Sequence, residues 1–353
     1  MTKALPLTVD EVNVEWLNHA LAEWTQRNPI IAIEDKTTIW GTGTKILMKV
    51  TYANGVSPGG PPADLCVKGG FMEELRHLAA INYLTEAYFY AHAAKQLTIA
   101  LPGCWYAQAD PERGQGIMIF DNLVTAGATF GDLKTTWHPD NVALVLEVLA
   151  SLHAQTWGAT TEKYPGLLVG APLRESAIFL VGKENWQHHF SLDSSPQLPP
   201  QIQDQARVYR ALFEMWRLDD LATERCLCHS DAHIGNTFQD ANGKLGYLDW
   251  QVVAIAPHMD DVSNVIGGSL TISDRRAHER KLFQHYLDAL SGYGGPRLTF
   301  DTAWLDYRRY QMHGILWATC PESMQPSERR LPVTERHMAA IIDHDTINLL
   351  LNG

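Results

Sequence analysis

Cys228-His229-Ser230-Asp231-Ala232-His233-Ile234-Gly235-Asn236, followed a short way on by Leu245-Gly246-Tyr247-Leu248-Asp249-Trp250, is the most informative stretch of the 353-residue chain. It holds His-x-Asp-x-x-x-x-Asn and then an Asp at the end of a short apolar run. Phosphoryl transfer to a hydroxyl calls for this set of groups. A carboxylate orients the hydroxyl and accepts its proton, which suits Asp231, and hard oxygen ligands hold the cations that bridge the phosphates. Asn236 and Asp249 supply such oxygens, and His229 braces the loop. With 15 His in the chain, this spacing alone arises by accident about 0.04 times. The Asp249 strand end and the upstream Lys68 reduce the chance further.

Outward from that stretch, the first third of the chain reads as strands. Thr8 and Glu11 stand at capping-box spacing before Val12, Trp16, Leu17, Ala20, Leu21 and Trp24, which share one helical face. Thr37–Trp40, Gly41-Thr42-Gly43-Thr44 and Lys45–Tyr52 read as strand, glycine turn, strand. Residues 54–62 are a Gly/Pro break, and Asp64-Leu65-Cys66-Val67-Lys68 is a third strand with a lysine at its end. A helical pattern runs from Met72 to Lys95, with Leu75, Leu78, Ile81 and Leu84 as its apolar stripe. Cys104–Ala107 and Ile117–Phe120 are further strands. Beyond Asp121-Asn122-Leu123 the pattern is mostly helical, at Asn141–Trp157, Gln205–Arg217, Arg275–Leu290 and Thr302–Thr319, with a Ser/Pro-rich loop at Ser191–Gln201. In the helix at Asn141–Trp157 the apolar side is Leu144, Val145, Val148, Leu149 and Leu152. No internal repeat and no low-complexity tract interrupts this order.

Composition excludes several classes. Apolar residues are 45% and charged residues 19%, enough to bury a large core. The net charge of −12 argues against binding to nucleic acid or to an anionic membrane surface. Cys66, Cys104, Cys226, Cys228 and Cys320 form no Cys-x-x-Cys pair, so free thiols of a reducing compartment are expected, with Cys226 and Cys228 alternating into a core. Neither a signal-peptide pattern at the start nor a long apolar run occurs, so a cytoplasmic protein is expected.

The sequence resembles the aminoglycoside phosphotransferase and choline kinase group of small-molecule kinases, nearest to its ecdysteroid-kinase-like branch. The resemblance rests on residues 229–236, Leu248-Asp249-Trp250, Val67-Lys68, Glu86-Ala87-Tyr88-Phe89-Tyr90 and Leu149-Ala150-Ser151-Leu152-His153-Ala154, and covers roughly residues 35–270. Two departures stand out. Ser230 replaces the Gly usual in the catalytic loop of the aminoglycoside enzymes. Trp250-Gln251 follows the metal-binding Asp where protein kinases have Phe-Gly.

The resemblance implies an α+β, two-lobed protein-kinase-like fold with a small antiparallel-sheet N-lobe and a larger, mostly helical C-lobe. The implied boundaries are 1–119 for the nucleotide-binding lobe, 120–123 for the hinge and 124–353 for the catalytic and substrate-binding lobe. It implies ATP and Mg²⁺, a hydroxylated small molecule as acceptor, Asp231 as base with His229 beside it, and Asn236 and Asp249 as metal ligands. Lys68 would contact the nucleotide phosphates, held by Glu86 rather than by Glu73 or Glu74. Gly41 and Gly43 would cover the phosphates, and Phe120, Asp121 and Asn122 would read adenine. In the group an Asp near His258-Met259-Asp260-Asp261 supports the catalytic loop, and Asp261 fits best; an acidic helix N-terminus is the other reading. His233 is either a prop or a phosphate contact.

Two other functions compete. A metal-dependent hydrolase would gather His229, Asp231, His233 and Asp249, with His258, Asp260 and Asp261 as further candidates, but has no need of Asn236 or Lys68. A nucleotide-binding pseudokinase would not need the full set of Asp231, Asn236 and Asp249. Residues 124–225 and 265–353, which would shape the acceptor site, carry no motif for a chemical class, and nothing in the sequence bears on oligomeric state.

Overall fold

The computed structural model describes residues 4–170 and 174–352. Its first part is built on a five-stranded antiparallel sheet of β1 (Ile30–Ile39), β2 (Thr44–Tyr52), β3 (Asp64–Gly69), β4 (Cys104–Asp110) and β5 (Gln115–Asp121), in the order β1-β2-β3-β5-β4. Strand alternation gives this sheet two different faces. Ile46, Val67 and Ile119 are register partners and join Met48, Val50, Leu65 and Ile117 in a core closed by Trp16, Leu17 and Leu21 of the N-terminal helices α1 (Val14–Ala20) and α2 (Ala22–Thr25) with their connection. The intervening residues Lys45, Lys68 and Met118 form one cross-strand row and Leu47, Cys66 and Phe120 the next, on the opposite face. That face meets α3 (Glu73–Tyr88) and the cleft.

The remainder is mainly helical. In chain order it comprises β6 (Thr129–Phe130), α4 (Pro139–Thr156), α5 (Arg174–Val181), α6 (Lys183–His189) and α7 (Gln205–Leu221). The short strands β7 (Cys226–Cys228), β8 (Thr237–Gln239), β9 (Leu245–Tyr247) and β10 (Ala254–Ala256) follow. The chain then runs through α8 (Met259–Ser269), α9 (Ile272–Gly292), α10 (Phe300–Tyr310), α11 (Ile315–Thr319), α12 (Ser327–Asp343) and α13 (Thr346–Asn352). One buried apolar cluster runs from Phe89, Met118 and Phe120 through Leu149 of α4 to Ile266 of α8, so the two parts share a core. None of the described helices is long and apolar enough to cross a membrane.

Several expected elements differ in detail. The first helix begins at Val14, capped by the Asn13 side chain, and breaks at Leu21. Glu11 accepts hydrogen bonds from the Leu7 and Thr8 amides and so closes the turn before it. Helix α3 ends at Tyr88 in a π turn over Phe89–Ala93 and a 3₁₀ turn over Ala94–Gln96. Its expected apolar stripe is not its buried face. Leu78 is exposed at 82%, whereas Tyr83, Glu86, Ala87 and Tyr90 are buried, because the helix faces the cleft with its glutamate. In α4, Leu144 is likewise exposed while Val145, Leu149 and Leu152 are buried. The helix expected over Thr302–Thr319 is interrupted by a 3₁₀ turn at Gln311–Gly314.

Candidate active site

Register brings the charged residues together first. Lys68 lies on the central strand β3 directly opposite Lys45 of β2, an arrangement that repels unless anions compensate it. They do: the Lys68 Nζ lies 2.8 Å from Glu86 Oε1 and 2.8 Å from Asp249 Oδ1. Glu86 also accepts from the Trp250 amide at 3.2 Å, joining α3 to the segment after β9. Burial would lower the Lys68 pKa, but Asp249 and Glu86 outweigh it and the ammonium is held charged. Burial pushes Asp249 up, yet Lys68 and Lys45 reverse this and hold it below the usual carboxylate range. Glu86, where burial dominates, is raised. Asp249 has φ 67°, a left-handed conformation that Asp tolerates better than most residues, and Gln251 donates to its carboxylate. The Trp250 ring wedges between Phe89 (4.3 Å, stacked) and His229 (4.6 Å).

The loop of residues 229–236 follows β7. Asp231 is the open member, its side chain 40% exposed. Asn236 donates Nδ2 to Asp231 Oδ2 at 2.9 Å and to its carbonyl at 3.1 Å, which leaves the Asn236 Oδ1 as a ligand oxygen. His233 Nε2 is 3.4 Å from Asp231 Oδ2, and its ring packs edge-on to Trp317 at 5.2 Å. His229 is fully buried; its Nε2 donates to the Leu248 carbonyl at 3.0 Å, and burial lowers its pKa, so the neutral ring ties the loop to the Asp249 strand end.

Asp261, in the first turn of α8, supports the loop. Its two oxygens accept the amides of His229 at 2.7 Å and Ser230 at 2.8 Å. Behind it His153 of α4 lies 3.1 Å away, with Tyr286 on its other nitrogen at 2.8 Å. The helix N-terminus and the loop support therefore coincide in one residue. Ser230 has φ 60°, a left-handed conformation in which glycine would be unstrained.

The cleft beside Lys68, about 150 Å³, is lined by Lys45, Leu47, Cys66, Lys68, Glu86, Tyr90, Phe120, Asp121, Asn122, Leu248 and Asp249 among others. The amides of Asp121 and Asn122 are engaged with the carbonyls of Gly103 and Asp64. The two glycines behave differently. A Cβ on Gly43 would sit 2.6 Å from Lys68 Cε, while Gly41 has open space around it. Cys226 and Cys228 are buried core residues of β7. Among the described residues, the His/Cys/Asp/Glu group whose ligand atoms fall within reach of one ion is His153, Cys226 and Cys228, not the set expected for a hydrolase. The sequence alone assigns no role to Lys45 or to Gln251; for Lys45 the signal is its alternation parity with Leu47 on β2, which needs the register with β3 to be read.

This arrangement of a strand lysine, a helix glutamate and two acidic loops under an antiparallel sheet is that of the two-lobed protein-kinase-like fold. Residues 76–300 match the phosphotransferase enzyme family, and the chain belongs to it. No curated protein matches the chain. Among solved structures it is similar to a spectinomycin phosphotransferase in complex with ADP and spectinomycin, at 14% identity over 98% of each chain, with a TM-score of 0.50. It is also similar to the GDP complex of a mutant aminoglycoside 2′-phosphotransferase, at 13% identity over 97% of this chain and 100% of that one, with a TM-score of 0.51.

Proposed function

We propose that the protein is an ATP-dependent kinase that phosphorylates a hydroxyl of a small molecule. The observation that carries this reading is the joined set Lys68–Glu86–Asp249 and Asp231–Asn236, linked by His229 and Trp250. Lys68 and Lys45 offer two cations to phosphate oxygens in the cleft, and Gly43 lets the β1–β2 turn approach Lys68. The donor set fits Mg²⁺: Asn236 and Asp249 would hold it through hard oxygens, and its charge would offset that of the phosphates. Asp231, exposed beside a second cavity, orients the acceptor hydroxyl and takes its proton. Residues 1–119 and 124–353 act as the two lobes about a hinge at 120–123, where Phe120, Asp121 and Asn122 line the nucleotide cleft. Within the family the chain is read as nearest to the ecdysteroid-kinase-like branch, on the resemblance carried by residues 229–236, Leu248-Asp249-Trp250 and Glu86–Tyr90.

The test is thermal unfolding with and without Mg-ATP, on the wild type and Asp249→Asn. A site filled at about 100 times its dissociation constant adds about 2.7 kcal/mol, a rise of several degrees. The expected shift requires Mg²⁺ and shrinks in the variant. No response to ATP or GTP, with a response to Zn²⁺ or Mn²⁺ alone, would overturn the reading in favour of a hydrolase.

A further inference from the structure

A second cavity, of about 230 Å³, opens on Asp231. It is formed by α5, the catalytic loop, α8 and the α11 region, which are far apart in sequence. Ala177, Leu180, Leu316, Trp317, Cys320 and Met324 give it a mainly apolar wall. Asp231 is the only carboxylate among its described lining residues, so a polycationic sugar would bring ammonium groups into it without partners, at a large desolvation cost. Its volume sets how much of an occupant it encloses: a cavity of about 150 Å³ accepts benzene, so this one encloses a body of about one or two rings.

The wall is not uniformly apolar. His313 and Asn264 line the same cavity, and the His313 Nε2 and Asn264 Oδ1 are buried without a hydrogen-bond partner among the described residues. The other ring nitrogen of His313 is fixed on the Asp260 carboxylate of α8. An orphaned pair of this kind costs free energy unless a ligand meets it. A hydroxyl suits both atoms, because it donates its one proton to Asn264 Oδ1 and accepts the Nε2–H of a His313 ring whose other nitrogen faces Asp260.

We propose that the acceptor is an uncharged alcohol with an apolar body of one or two rings and a second hydroxyl, the latter bound by His313 and Asn264 while Asp231 receives the reacting hydroxyl. His313 is thereby a specificity-determining residue, oriented by Asp260. This rests on the kinase reading for the role of Asp231, but not for the chemistry of the cavity.

Calorimetric titration tests it with 4-phenylbutan-1-ol, 4-(4-hydroxyphenyl)butan-1-ol and kanamycin, each with and without Mg-ADP. The proteins are wild type, His313→Ala, His313→Gln and Leu180→Glu. In the wild type the distal hydroxyl strengthens binding about fivefold. His313→Ala abolishes that preference and leaves the parent alcohol within about twofold, and His313→Gln restores part of it. Leu180→Glu weakens both alcohols about tenfold, and kanamycin binds more weakly than either. Kanamycin binding more tightly than both alcohols, or a hydroxyl preference indifferent to His313→Ala, overturns the proposal. An unchanged melting profile certifies the fold of each variant. A wild type that ignores Mg-ADP yet binds the alcohols as described contradicts the kinase reading and supports the acceptor class, since the alcohols are also titrated without nucleotide.

Discussion

Gly43 and Gly41 look equivalent in the sequence and are not equivalent in space. A methyl group on Gly43 runs into the Lys68 stem at 2.6 Å and meets the Gln251 amide at 3.1 Å, whereas one on Gly41 meets nothing within 4 Å. Neither glycine has a positive φ, so the difference is steric contact with the lysine and not backbone freedom. Gly43→Ala is therefore expected to push Lys68 off its position between Glu86 and Asp249 and to raise the KM for ATP about tenfold or more. Gly41→Ala should leave it within about twofold, as an exposed substitution away from any contact does. Steady-state kinetics at varied ATP checks both, and equal effects would remove the special role given to Gly43. The same contrast explains what was legible at this scale. Asp231, Asn236 and Asp249 are legible because their spacing along the chain is itself the signal. Lys45 is not, because only the β2–β3 register sets it beside Lys68.

At the scale of elements, α5, α7 and α10 are held together by charged contacts. Asp219 of α7 accepts from Tyr310 at the end of α10 and lies 3.3 Å from Arg174 at the start of α5. Burial outweighs these partners and raises its pKa to about 6. A carboxyl whose folded value lies above its unfolded value, near 3.9, binds its proton more tightly when folded. Its contribution is therefore full below about pH 4 and is lost as pH rises through about 6. The stability of wild type relative to Asp219→Asn, which cannot titrate, should fall by about 2 kcal/mol between pH 4 and pH 7. Urea midpoints of both proteins across that range measure it, with other groups common to both cancelling. A difference that grows in favour of wild type with rising pH would mean that the Arg174 ion pair outweighs burial. Elements also show why periodicity misled on α3. Its buried face carries Glu86, so the most apolar stripe, with Leu78 on it, is the one turned to solvent.

For the whole molecule, the two-lobed organisation was legible because a strand-rich first third and a helical remainder are separate in sequence. The cavity beside Asp231 was not, since Leu180, Asp231, Asn264 and Trp317 converge only after α5, α8 and α11 pack round the loop. What joins the lobes is also a matter of three dimensions. Trp250 is fully buried between Phe89, just beyond α3, and His229 of the 229–236 loop, while its amide donates to Glu86. The main apolar cluster continues across this point, from Phe120 to Leu149 and Val253. A shared core of this kind makes unfolding of one lobe expose surface on the other, so wild type should unfold in a single calorimetric transition. Trp250→Ala removes the largest side chain of the junction and should cost about 3–5 kcal/mol. Because that loss falls where the lobes meet, the variant should melt in two resolved steps, with the smaller sheet lobe first. A variant that is destabilised but still melts in one step would assign Trp250 to the stability of the C-lobe alone and leave the coupling to the Lys68–Asp249 ion pair. Asp249→Asn, scanned in the same way without nucleotide, distinguishes these, since it weakens the ion pair and leaves the ring stack in place.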